Sequence, residues 1–178
     1  MLAEEDPYRQ FLNYMNHEGG RILEIEFYQE QIGERFESGG TFYYFGETNY
    51  IFDSYDQRVV YHDGTITTIN KVDRQVILDS AIPDEVTIFD ILTGSNESIQ
   101  QGKALLEKNG FRIPFTLGEW DMEGTIWTIP SSGQPREIHL KTGGDSDIRI
   151  KIISSEPGKG NDVAEINLSN YEIIDLRE

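Results

Sequence analysis

The stretch Gln57-Arg58-Val59-Val60-Tyr61-His62-Asp63-Gly64-Thr65-Ile66-Thr67-Thr68-Ile69-Asn70 decides the fold class. β-Branched and aromatic residues fill both flanks, and Asp63-Gly64 stands between them. Asp-Gly in that place favours a two-residue hairpin turn, because Gly accepts the positive φ that such a turn demands. The turn also sets the register, with Tyr61 opposite Ile66 and Val59 opposite Thr68 on the same face.

The same period of two extends in both directions. Toward the N-terminus, Leu23, Ile25 and Phe27 alternate with Glu24, Glu26 and Tyr28, which describes a strand with one wet face. Glu34–Phe36 leads through Gly39-Gly40 into Thr41–Phe45, followed by Asn49–Asp53. Toward the C-terminus, Asn70-Lys71-Val72-Asp73 makes a looser hairpin into Gln75–Asp79. Strands that follow one another so closely leave no room for crossovers, which predicts an antiparallel sheet. Further strands are expected at Ile113–Gly118, Thr125–Pro130, Glu137–Thr142, Asp147–Ser154 and Val163–Ile174. The clusters Ser131-Ser132-Gly133, Gly143-Gly144-Asp145 and Pro157-Gly158-Lys159-Gly160 separate the later ones.

Helices interrupt the pattern. Asp6 can cap free N–H groups and Pro7 suits the first helical position, so a helix opens there. Tyr8, Phe11, Leu12 and Met15 fall on one face of it, and Gly19-Gly20 stops it. Pro83-Asp84-Glu85 opens a short helix carrying Val86, Ile88, Phe89, Ile91 and Leu92, with Gly94 as its C-cap. A further helix is expected over Asn96–Lys108, with Ile99, Leu105 and Leu106 apolar and Gly110 stopping it. The expected fold is a mostly β (α+β) single domain over residues 1–178. Accumulated twist curls its long antiparallel meander of about ten or eleven strands into an unclosed β-barrel, with two or three helices on the concave side.

Composition bounds the function. The 178 residues suffice for one domain with a substantial core, and 37% are hydrophobic. Against 32 Asp and Glu stand 15 Lys and Arg, a net charge of −17. Such a surface repels phosphate backbones and anionic head groups, which argues against nucleic acid and against docking on an anionic membrane. With no cysteine, the chain has no disulfide, thiol chemistry or Cys-type zinc site. No apolar run approaches the roughly 20 residues of a spanning helix, so stable membrane insertion is not expected. Met1-Leu2-Ala3-Glu4-Glu5-Asp6 lacks the pattern of a signal peptide and reads as a mature N-terminus whose signal peptide has been removed.

Catalytic and metal constellations are thin. His17, His62 and His139 are spread over a helix end and two strands with no ligand spacing. Gly144-Asp145-Ser146-Asp147 echoes a hydrolase motif, but turn chemistry accounts for it, and it lacks a calcium-loop ladder. A small hydrolase using Asp145, Ser146 or a carboxylate pair is the weakest of the functional readings. No cofactor and no metal are expected, and a non-enzyme is preferred.

A family resemblance enters at Gly39-Gly40-Thr41-Phe42-Tyr43-Tyr44-Phe45, Tyr50-Ile51-Phe52-Asp53 and Tyr61-His62-Asp63-Gly64-Thr65-Ile66. Together with Asn70–Val76 and the apolar segment Thr87–Gly94, these residues resemble the bacterial outer-membrane lipoprotein carrier (LolA-like) family. The likeness is strong from Gly33 to Gly94 and weak beyond. It implies a periplasmic chaperone, an unclosed barrel with a helical lid. Such a chaperone carries acylated lipoprotein or lipid cargo from an inner-membrane ABC transporter to an outer-membrane receptor. One departure stands at Phe45-Gly46-Glu47-Thr48, where well-known members have an Arg-Pro that helps hold the lid.

The nine Phe, nine Tyr and two Trp fit this reading, since aromatics give acyl chains a rigid wall. Composition alone reads them as core, and the resemblance turns them into a lining. The expected lining residues are Phe27, Phe42, Tyr44, Phe52, Tyr61, Phe89 and Leu92. A slip of one residue would exchange Phe42 and Tyr44 for Tyr43 and Phe45. The alternative is a non-catalytic envelope binding or scaffold domain on the same curved sheet.

Overall fold

A computed structural model describes residues 5–83, 85–94, 97–158 and 163–177. The first helix, α1 (Pro7–Met15), starts where Asp6 accepts a hydrogen bond from the Arg9 amide at 3.3 Å. Six strands then follow without interruption: β1 (Arg21–Gln31), β2 (Glu34–Gly46), β3 (Asn49–Ser54), β4 (Gln57–His62), β5 (Thr65–Asn70) and β6 (Gln75–Ser80). The central hairpin has the expected register, Tyr61 opposite Ile66 and Val59 opposite Thr68. Asp63 and Gly64 take φ of 45° and 80°, the double positive φ of the predicted turn. Residues 34–46 form one long strand where two runs were expected.

The short helix α2 (Ile88–Thr93) starts later than predicted, because Thr87 and not Pro83 caps it. Thr87 and Asp90 form a reciprocal capping box, which satisfies the first free amides on both sides. Gly94 closes the helix in the left-handed conformation, as expected. Asp84 lies outside the described residues.

The helix expected over Asn96–Lys108 is not formed. β7 (Gln100–Gln101) and β8 (Leu105–Glu107) occupy the described part of that segment, both paired with β9 (Gly110–Leu117). Only three of its positions are large apolar residues, and Leu105 and Leu106 are exposed. It had no apolar stripe to bury, so a strand ladder won. After a 3₁₀ turn at Gly118–Trp120 come β10 (Met122–Thr128), β11 (Pro135–Thr142) and β12 (Ser146–Pro157).

The thirteen strands form one unclosed sheet in the order β13-β6-β5-β4-β3-β2-β1-β12-β11-β10-β9-β7, with β8 also on β9. Val163–Ile174 was expected as a strand, yet only β13 (Glu172–Asp175) forms, and it pairs with β6 in parallel. The antiparallel expectation therefore fails at this one edge. The reason is topological: β12 and β6 lie far apart in the sheet, so the chain must cross a face to reach the edge. Arg58 shows which face. It pairs with Asp53 on the side opposite Phe52, and its Nη1 donates to the Ala164 carbonyl at 2.7 Å. The crossing segment thus lies on the outer face, where Ile69 and Val76 continue the row and are 7% and 5% exposed.

The inner face carries the main core. Ile113, Ile126, Ile138 and Ile150 stand directly opposite one another across β9, β10, β11 and β12, and all are fully buried. Cross-strand rows of branched side chains are the unit that stabilises such sheets. Phe11 and Met15 of α1 are buried in the same cluster, as are Ile91 and Leu92 of α2. Both helices therefore lie on the concave side, as predicted. Arg21 fixes the base of α1: its Nε donates to the Tyr14 carbonyl at 2.8 Å and its guanidinium covers the Tyr14 ring at 3.7 Å.

Candidate functional site

The inner face of β2, β3 and β4 is an aromatic wall. Phe42 stands opposite Phe52, and Tyr44 opposite Tyr50, which in turn stands opposite Tyr61. The alternation of the strands makes this so: Phe42 is fully buried and Tyr44 is 1% exposed, whereas Tyr43 and Phe45 face the other way and are only partly covered.

Phe89 of α2 closes the wall. Its ring stacks on Phe42 at 5.1 Å and 6°, and meets Tyr50 and Phe52 at 5.5 Å each. Tyr50 and Tyr61 stack at 4.9 Å and 11°, and Phe42 stacks on Tyr44 at 6.4 Å. Leu92 is fully buried one turn further along α2. Phe42 and Phe52 thus touch Phe89 of α2, while Tyr44 adjoins Phe42 and Tyr61 adjoins Tyr50. Phe27 does not join them. It lies further along β1 opposite Ile150, and its aromatic neighbour is Phe36 at 6.1 Å.

Tyr50 was not among the expected residues, although it touches Phe42, Tyr61 and Phe89. It shares its face with Phe52 by simple alternation, so the signal was present in the strand pattern. Burial pushes the Tyr50 hydroxyl far above its ordinary pKa, and the nearby Asp90 carboxylate adds to the effect. Burial likewise pushes Tyr44 up to about 12, with Glu47 adding to it, and its Oη donates to Asn16 Oδ1 at 3.1 Å. These hydroxyls stay neutral at physiological pH, so the wall carries no charge.

A cavity of about 250 Å³ opens at the end of the wall, between Tyr50, Tyr61 and Ile66 of the sheet and the segment leading into α2. A larger groove of about 590 Å³ is bordered by Glu26, Tyr28, Arg149 and Lys151 of the outer face together with Phe27. Phe89, half-buried, covers Phe42, Tyr50 and Phe52 on the concave side. No helix among the described residues is long and apolar enough to cross a membrane.

No family model matches the chain, and no curated protein matches it. Solved structures do. An uncharacterized conserved protein from Thermus thermophilus aligns over 94% of this chain and 98% of its own, with a TM-score of 0.59 and 7% identity. A putative outer membrane lipoprotein-sorting protein domain from Vibrio parahaemolyticus covers 92% of this chain and 94% of its own (TM-score 0.48, 6% identity). A LolA superfamily protein from Nitrosomonas europaea covers 89% and 94% (TM-score 0.45, 7% identity). At such identities the likeness is one of fold alone. The fold is the one shared with the Thermus thermophilus protein. Its unclosed curved sheet and concave helices are those implied by the resemblance of residues 33–94.

Proposed function

We propose that the chain is a periplasmic carrier that buries the acyl chains of lipoproteins or lipids and hands them on toward the outer membrane. The observation that carries this reading is the cover over the aromatic wall: a helix of only six residues inserts one ring, Phe89, among Phe42, Tyr50 and Phe52. Lifting α2, which carries Phe89 and Leu92 on its underside, would open an apolar hollow lined by Phe42, Tyr44, Phe52 and Tyr61, with Phe27 further along the same face.

Magnitudes favour a reversible exchange. Exposing Phe89, Ile91 and Leu92 costs about 1.5–3 kcal/mol each, so undocking α2 costs roughly 5–9 kcal/mol. Burying a sixteen-carbon acyl chain at about 0.8 kcal/mol per CH₂ offers on the order of 10 kcal/mol before ordering costs. The two are close enough for cargo to displace the helix and for the helix to displace cargo. An inner-membrane ABC transporter as donor and an outer-membrane receptor as acceptor complete the proposal, and the acidic surface would steer toward basic patches on them.

A second reading is a non-catalytic envelope binding or scaffold domain. It is favoured by the covered aromatic wall, if Phe89 never leaves it. Titration with a fluorescent fatty acid separates the two. A carrier binds it one-to-one and releases it to an acylated peptide, and the absence of saturable binding would sink the carrier reading.

A further inference from the structure

The cavity at the mouth of the wall has a chemistry of its own. Its sheet side is the Tyr50–Tyr61 ring pair and Ile66, and its other side is the segment Ala81–Pro83 with Glu85, Thr87 and Asp90. No Lys, Arg or His is among the lining residues. Two carboxylates and no basic side chain thus line the cavity beside the tyrosine pair. Asp90 Oδ2 is engaged by the Thr87 amide at 2.6 Å and its hydroxyl at 2.9 Å, which sets part of its charge against the start of α2. A helix start amounts to roughly half a positive charge at most, so the cavity remains net negative. Glu85 is exposed at the rim.

From these features we infer that the mouth cavity binds an organic cation, a quaternary or primary ammonium group, at the head of an amphiphile. The tail of that amphiphile would lie along the aromatic wall, so the inference rests on the carrier reading. Aromatic faces attract ammonium groups through their ring quadrupole, and carboxylates at the rim add a screened charge term. A carboxylate or phosphate head would be repelled by the same two carboxylates. The volume of about 250 Å³ leaves room for such a head without displacing the Tyr pair.

The test compares dodecyltrimethylammonium, dodecanoate and dodecyl maltoside, which share one tail and differ in the head. Binding is measured by calorimetry below micelle formation at physiological salt. The cationic head is expected to bind about tenfold tighter than the other two. In Glu85→Gln that preference should fall to about threefold or less, while dodecyl maltoside binds as before. Glu137→Gln, on the outer face, controls for the overall negative charge and should leave the preference intact. Equal binding of the three amphiphiles, or an equal loss in both variants, overturns the cation site and leaves the carrier reading standing. No binding of any of the three overturns both.

Discussion

Gly94 sits against Leu12: a Cβ on this glycine would lie 2.1 Å from Leu12 Cδ2 and 3.6 Å from the Phe11 ring. The end of α2 is thereby seated on Leu12 of α1. Gly94 also holds φ of 67°, where a side chain is strained. Gly94→Ala adds a steric clash to that strain and is expected to destabilise the protein by about 2–3 kcal/mol. Urea unfolding checks this. The companion Leu12→Ala, Gly94→Ala should recover part of the loss, because the clash is with Leu12. No recovery would mean that the backbone strain alone sets the cost.

The outer face has its own fastening. Arg58 holds Asp53 through Nε–Oδ1 at 2.9 Å and Nη2–Oδ2 at 3.0 Å, and Lys71 Nζ reaches Asp53 Oδ1 at 2.8 Å. Because Nη1 also grips Ala164, this buried guanidinium ties the crossing segment to the sheet. Arg58→Ala is expected to cost about 3 kcal/mol, the low end for a broken buried pair, since Lys71 still partners Asp53. Hydrogen exchange should quicken first in β13 and β6, and a uniform rise over the sheet would contradict the tether.

The same pair sets an acid limit. Burial by itself would raise the Asp53 pKa, but the hydrogen bonds from Arg58 and Lys71 outweigh it and leave the carboxyl below its ordinary value. A depressed folded pKa gives stability that is fully present above the unfolded pKa, near 3.9, and is lost as pH falls through the folded value. Asp53→Asn should therefore flatten the stability profile below about pH 4. An unchanged acid limb in that variant would assign it to other carboxylates.

Much of this architecture is legible in the sequence, and the places where it is not are physically distinct. β4 and β5 have the predicted bounds because Asp63-Gly64 fixes both turn and register. Alternation along β2 allows two parities, and burial of Phe42 and Tyr44 selects between them only in the folded sheet. Leu105 and Leu106 misled because two adjacent leucines carry no period, so they could mark a helix or a strand. The C-terminal crossing could not be read locally. Its course depends on Arg58, more than a hundred positions away, and no pattern within Val163–Ile174 announces that contact. Tyr50 was available by alternation and was passed over.

Alkali should expose the aromatic wall. Tyr44 is held at about 12 by burial, so the folded state keeps a proton that the unfolded chain loses near pH 10. Stability from this group is intact below about pH 10 and declines as pH rises toward 12, by on the order of 2 kcal/mol. Tyr50 acts in the same direction. Tyr44→Phe should lose about 1 kcal/mol at neutral pH, with the Asn16 hydrogen bond, yet fall less steeply above pH 10. Parallel alkaline profiles for the two proteins would remove Tyr44 from the account.

Phe89 distinguishes a lid from a core residue by the sign of two measurements. Truncation in Phe89→Ala removes a half-buried ring that stacks on Phe42, so urea stability should fall by about 2–4 kcal/mol. If α2 competes with cargo, that same loss weakens the competitor. Fatty-acid affinity should then rise, by about tenfold if 1.4 kcal/mol of the docking energy is recovered on binding. A residue that merely packs the interior predicts the opposite, with affinity unchanged or lower as the fold loosens. The conservative Phe89→Leu keeps most of the apolar volume but not the ring stack, and should fall between wild type and alanine in both readouts. Stability and affinity moving down together in this series would identify Phe89 as ordinary core and leave the wall beneath it closed.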